Sequence, residues 1–147
     1  MKKLNFSVQI DAPKEKVWEA LWNDQNYRDW TTVFCEGSYM ESDWKEGGKT
    51  RFLMPEGSGM YSTIDKLIKN EVLSFKHIGE IKNGEDQPID DATKNWTGAL
   101  ESYYLKENAG TTNLVVELDI TEDHAQYFQD VFPKGLQKVK EIAETKN

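Results

Sequence analysis

His77, His124 and Cys35 are the only histidine and cysteine side chains in the 147-residue sequence. His77 shares an alternating phase with Leu73 and Phe75, and Glu101 shares one with Ala99, Tyr103 and Leu105. If these stretches are paired antiparallel strands, both side chains fall on one face, where cross-strand neighbours come within ~4.5–8 Å. An imidazole beside a carboxylate could move protons or hold the polar group of a ligand. The plainer reading, which outweighs it, is a satisfied buried pair that merely fixes the sheet. The other phase of the later stretch, Leu100, Ser102 and Tyr104, also alternates and would turn Glu101 outward.

Other chemistry is thin. A metal centre needs three or four convergent ligands, and His77, His124 and Cys35 are not at ligand spacing, so no metal and no cofactor are expected. Cys35 has no evident base at hand and reads as a small buried hydrophobe. Gly57-Ser58-Gly59 is a turn rather than a phosphate loop, because no helix follows it.

The elements that must position these residues follow from hydropathy. Leu4, Phe6, Val8 and Ile10 alternate with polar residues and predict a half-buried strand. Pro13 suits the first turn of a helix, and Val17, Trp18, Leu21 and Trp22 give that helix one apolar face. Asn23-Asp24 ends it and caps a second short helix through Trp30. Strands are expected near 34–43, 49–55, 59–68, 72–79, 97–107 and 111–121, with Leu114, Val116, Leu118 and Ile120 facing inward. Short connections make neighbours antiparallel. Residues 80–96 read as one long acidic loop ending in Trp96. Phe128, Phe132, Leu136, Val139 and Ile142 mark a C-terminal helix, with a kink or break expected at Pro133. The class is α+β, with residues 1–147 expected to form one domain.

Composition excludes several functions. A formal net charge of −8 argues against a nucleic-acid partner. No apolar run approaches the ~20 residues of a membrane span, and the polar opening lacks a signal peptide. The single cysteine excludes an internal disulfide, so a cytoplasmic location is expected.

Seven stretches carry a resemblance when taken in order. They are Ala12-Pro13 through Val17-Trp18; Trp44 with Gly47-Gly48; Gly59 through Ile64-Asp65-Lys66; and Glu71 through Leu73-Ser74-Phe75. The others are Trp96 through Glu101-Ser102-Tyr103; Thr111-Thr112-Asn113-Leu114; and Phe132 through Leu136 and Val139-Lys140. Together they resemble the START/Bet v 1-like (SRPBCC) superfamily, and within it the group of activators of the heat-shock-protein-90 ATPase. The resemblance implies a helix-grip fold, a seven-stranded curved antiparallel sheet around a long C-terminal helix with two short helices after the first strand. Members bind lipids, hormones or polyketides, act as cyclases or hydrolases, or bind chaperones. The eponymous activators carry a further N-terminal chaperone-binding domain. The chain's opening is already the fold's first strand, so co-chaperone activity is not expected.

Trp30, Phe34, Phe52, Met54, Phe75, Trp96, Phe128 and Phe132 either fill a core or line a pocket between sheet and helix, with His77, Glu101 and Tyr103 as its polar residues. The first functional expectation is binding of a small apolar molecule. The alternative is a cyclase- or hydrolase-like enzyme using Glu101 with His77. A weaker alternative is a chaperone or protein-interaction domain working through the acidic 80–96 segment.

Overall fold

The computed structural model describes residues 1–145. The chain opens with β1 (Lys2–Ile10), then α1 (Lys14–Trp22) and α2 (Asp24–Trp30). Pro13 precedes the first helical residue in an extended conformation, and the Asn23 side chain accepts the Asn26 N–H to cap α2. A 3-10 turn, Thr31–Val33, extends α2. Then come β2 (Tyr39–Ser42), β3 (Lys49–Leu53), β4 (Gly59–Ile68), β5 (Val72–Lys82), β6 (Glu85–Asp86), α3 (Asp91–Lys94), β7 (Leu100–Asn108), β8 (Thr111–Ile120) and α4 (Glu122–Glu144). Seven strands form one antiparallel sheet in the order β1-β8-β7-β5-β4-β3-β2, and the two-residue β6 pairs with β5 off this path. A curved sheet with one long C-terminal helix and short helices after the first strand is the helix-grip fold.

The inward phase of β8 is the expected one: Leu114, Val116 and Leu118 are buried, while Asn113 is exposed. Strand β7 adopts the phase in which Tyr103 and Leu105 are buried and Tyr104 is exposed, and Ala99, just before it, is buried as well. Its opposite face is not simply polar, because Ser102 is also buried and pairs with Ser74 at 2.7 Å. Helix α4 packs on β1, α1 and α2, burying Phe132, Leu136 and Val139. Phe132 stacks on Phe6 with ring centroids 5.1 Å apart. Among the described residues, no helix is long and apolar enough to cross a membrane.

Three expectations need correction. The strand near 34–43 shrinks to Tyr39–Ser42, because the 3-10 turn and Gly37, at φ +88°, keep the preceding residues out of the sheet. Of the kink or break expected at Pro133, the break does not occur: helix α4 continues through it. The proline removes one backbone hydrogen bond, and burial of Phe132, Leu136 and Val139 on either side offsets that loss. The 80–96 segment is the larger correction, for it is not one loop. Strand β5 continues to Lys82, turns at Asn83-Gly84 and pairs back as β6. Both turn residues have positive φ, 52° and 77°, the conformation that two-residue hairpin turns require. Asp90 then caps α3 by accepting the Thr93 N–H at 2.8 Å.

Candidate functional site: an aromatic cavity with a carboxylate in its wall

A cavity of about 560 Å³ lies between the sheet, α2 and the first half of α4. Trp30 forms part of its wall and is held from two sides. Its indole N–H donates to the Leu21 carbonyl at 2.9 Å, and Gly135 of α4 leaves room for its ring. A Cβ at Gly135 would lie 3.3 Å from Trp30 Cε3. Phe34 then packs edge-on to Trp30 and Phe132, at centroid distances of 6.4 and 5.4 Å.

The polar wall comes from β4, β5 and β7. Phe75 pairs with Glu101 in register, so His77 lies diagonally from Glu101 on the same face. His77 Nε2 is 3.0 Å from Glu101 Oε1, and the Tyr103 hydroxyl donates to Glu101 Oε2 at 2.5 Å. The other imidazole nitrogen, Nδ1, lies 2.7 Å from Ser62 Oγ. A register shift between Tyr61 and Ser62 sets that last contact by bringing Ser62 opposite His77. The bulge also breaks the period of two, so that His77 and Glu80, three residues apart, both line the cavity.

Ser62, His77 and Glu101 resemble a nucleophilic triad in composition, but the geometry assigns other roles. Ser62 is 1% exposed and does not line the cavity. Its hydroxyl orients the imidazole and cannot meet a bound molecule. Glu101 does line the cavity and uses one hydrogen bond on each oxygen. A carboxylate offers about four acceptor positions, so it keeps capacity for a ligand donor. Burial, reinforced by the Glu101 charge, pushes the Tyr103 phenol well above its ordinary value. Tyr27, also in the wall, is pushed up by the same two causes in the same order. Both phenols therefore stay protonated across the physiological range.

Trp30, Phe34, Phe52, Met54, His77, Trp96, Glu101, Tyr103, Phe128 and Phe132 all line this cavity. Phe75 does not. It shares the inward phase, but its ring is fully buried beneath Phe52 and Trp22, at centroid distances of 5.0 and 5.6 Å. Cys35 is half-buried on the cavity wall rather than enclosed in the core, because the chain around it turns instead of joining the sheet. Sequence reasoning missed Tyr27, Met60, Glu80, Asp119, His124 and Tyr127. The last two stand in the first turns of α4, whose position over the cavity no local pattern reveals. The acids of the 80–96 segment are largely engaged within the fold. Glu80 lines the cavity, Arg51 pairs with Asp86 at 3.1 Å, and Asp90 caps α3. Among the described residues, no cluster of three or more His, Cys, Asp or Glu side chains is placed to hold a metal ion.

Fold and cavity together define a helix-grip domain of the SRPBCC type. Residues 11–142 match the family described as Activator of Hsp90 ATPase homolog 1-like protein, and the chain belongs to it. No curated protein matches the sequence. Several solved structures share the fold. DynU16, a protein of the dynemicin biosynthetic locus, aligns over 99% of this chain at TM-score 0.71 and 15% identity. The chain spans about half of DynU16, 48% of its length. A Mesorhizobium loti protein aligns over 99% of both chains at TM-score 0.73 and 15% identity. Aha1 of Colwellia psychrerythraea, solved as a dimer, aligns over 98% of this chain and 97% of its own at TM-score 0.71 and 21% identity.

Proposed function

We propose that the protein binds one small, mainly apolar molecule between the sheet and α4, with Glu101 and His77 as its polar contacts. The observation that supports this reading is the cavity itself, about 560 Å³ with a largely aromatic wall. Ligand sites range over about 300–1,000 Å³, mostly apolar with a few convergent polar groups. The place of DynU16 in the dynemicin biosynthetic locus is compatible with binding and names no ligand for this chain.

A second reading rests on one contact. The 3.0 Å approach of His77 to Glu101 at a cavity wall has the geometry of an acid–base couple. In that reading Glu101, the member nearer the open space, exchanges a proton with the bound molecule and His77 partners it. Binding comes first in both readings. Titration with Nile red, a neutral apolar dye, tests it. Saturable one-to-one binding with micromolar affinity is expected; fluorescence that rises without saturating, in protein shown to be folded, refutes the binding reading.

A further inference from the structure

Among the described residues, the cavity wall contains no lysine and no arginine, yet it contains three carboxylates: Glu80, Glu101 and Asp119. Two of these have cations on the outer side. Lys82 reaches Glu80 at 3.7 Å and Lys3 reaches Asp119 at 3.6 Å. Among the described residues, Glu101 has no lysine or arginine partner. Its contacts are an imidazole nitrogen and a phenol hydroxyl.

An anionic ligand group would therefore meet a half-buried carboxylate with no lysine or arginine beside it to offset the repulsion. A protonated amine meets the opposite situation. It could donate to the free acceptor positions of Glu101, and charge-assisted hydrogen bonds are about twice as strong as neutral ones. It would also share the cavity with Tyr27, Trp30 and Tyr103, whose rings line the wall, and aromatic rings attract cations. Resting on the binding reading above, we propose that the ligand is a cationic amphiphile. Its apolar, ring-sized body fills the aromatic part of the cavity, and one protonated amine is directed at Glu101. Fatty acids and other carboxylates are disfavoured by the same charge pattern.

The test compares three fluorescent probes with one ring system: pyrenemethylamine, pyrenemethanol and pyreneacetic acid. The expected order is amine, then alcohol, then acid, with the amine about tenfold or more tighter than the alcohol. The protein's overall negative charge could by itself favour an amine, so each titration is repeated at high salt. A surface effect is screened there, whereas a pair inside the cavity is screened much less. An amine-to-alcohol ratio that survives high salt, and that falls to near one in Glu101→Gln, supports the proposal. A ratio that collapses with salt, or that Glu101→Gln leaves intact, overturns it. The salt series uses the unaltered protein and by itself overturns the proposal if the ratio collapses; should Glu101→Gln fail to fold, Glu101→Met takes its place. If the alcohol binds saturably without preference for the amine, the charge inference fails and the binding reading stands. If none of the three binds saturably, both fail.

Discussion

His77 and Glu101 meet at 3.0 Å although 24 residues separate them, and the contact depends on three local decisions of the chain. Phe75 and Tyr103, each two residues from one member, are among the most deeply buried side chains and fix the phases of β5 and β7. Those phases put both members on the concave face. The bulge in β4 and β5 then brings Ser62 to the far side of the imidazole and holds the ring's orientation. The pair is thus positioned from behind by a buried serine and from the side by Tyr103, leaving the carboxylate facing the cavity.

Alkaline stability should report the buried phenols. Below the ordinary phenol value of 10.0, folded and unfolded chains both keep these protons, and the full stability is present. Above that value the unfolded chain releases protons that Tyr27 and Tyr103 retain in the fold. Stability then falls with rising pH, by up to about 1.4 kcal/mol per unit for each phenol. Denaturant unfolding of the native protein and of Tyr27→Phe, followed across this range, isolates one phenol. The stability difference between them should shift in favour of the variant as the pH rises past 10.0. A difference independent of pH would mean that Tyr27 is not buried as described.

Gly79→Ala should destabilise the β4–β5 pairing beside the cavity. A Cβ there would lie 2.5 Å from the Tyr61 hydroxyl oxygen and 2.6 Å from two of its ring carbons. That hydroxyl donates to the Gln87 carbonyl at 2.7 Å and ties the segment after β6 to the sheet. Overpacking of this kind costs about 1–3 kcal/mol. Thermal unfolding should show the loss, and hydrogen exchange near Gln87 should rise with it. An unchanged melt would show that Tyr61 moves aside freely.

Leu136→Ala should cost about 2–5 kcal/mol, the range for removing a buried leucine side chain. Leu136 is 3% exposed on the side of α4 that carries Phe132 and Val139. Chemical denaturation gives the number directly. A loss well under 1 kcal/mol would contradict the packing of α4.

Much of this arrangement was legible where one face of a strand is buried and the other is wet. Leu114, Val116 and Leu118 identify β8 by strict alternation, and Asn23 marks the start of α2 by its capping chemistry. The pairing of His77 with Glu101 was legible for the same reason, since Phe75 and Tyr103 anchor the two phases. What alternation cannot reveal is depth. Phe75 and Phe52 both lie on the concave side, but only Phe52 reaches the cavity, because it lies over Phe75. Bulges are equally silent: Glu80 belongs to the wall only because the register shifts near Ser62. Asn83-Gly84 did carry a signal, an Asn-Gly pair suited to a hairpin turn, and the acidic composition around it obscured that reading. Residues such as Tyr27, His124 and Tyr127 enter the site through helix placement, a long-range outcome that local spacing does not encode.

The most direct test of the account fills the cavity without removing any aromatic side chain from it. Ala99 is 3% exposed and lines the wall next to Glu101 on the same face. Ala99→Phe projects a ring into the open volume, with a thermal melt confirming that the variant is folded. Nile red should bind the native protein one-to-one and saturably, and Ala99→Phe should weaken that binding by about tenfold or more, as expected when ligand and side chain compete for one space. Equal binding by the two folded proteins would place the dye elsewhere and contradict the claim that the space between sheet and α4 is the ligand site.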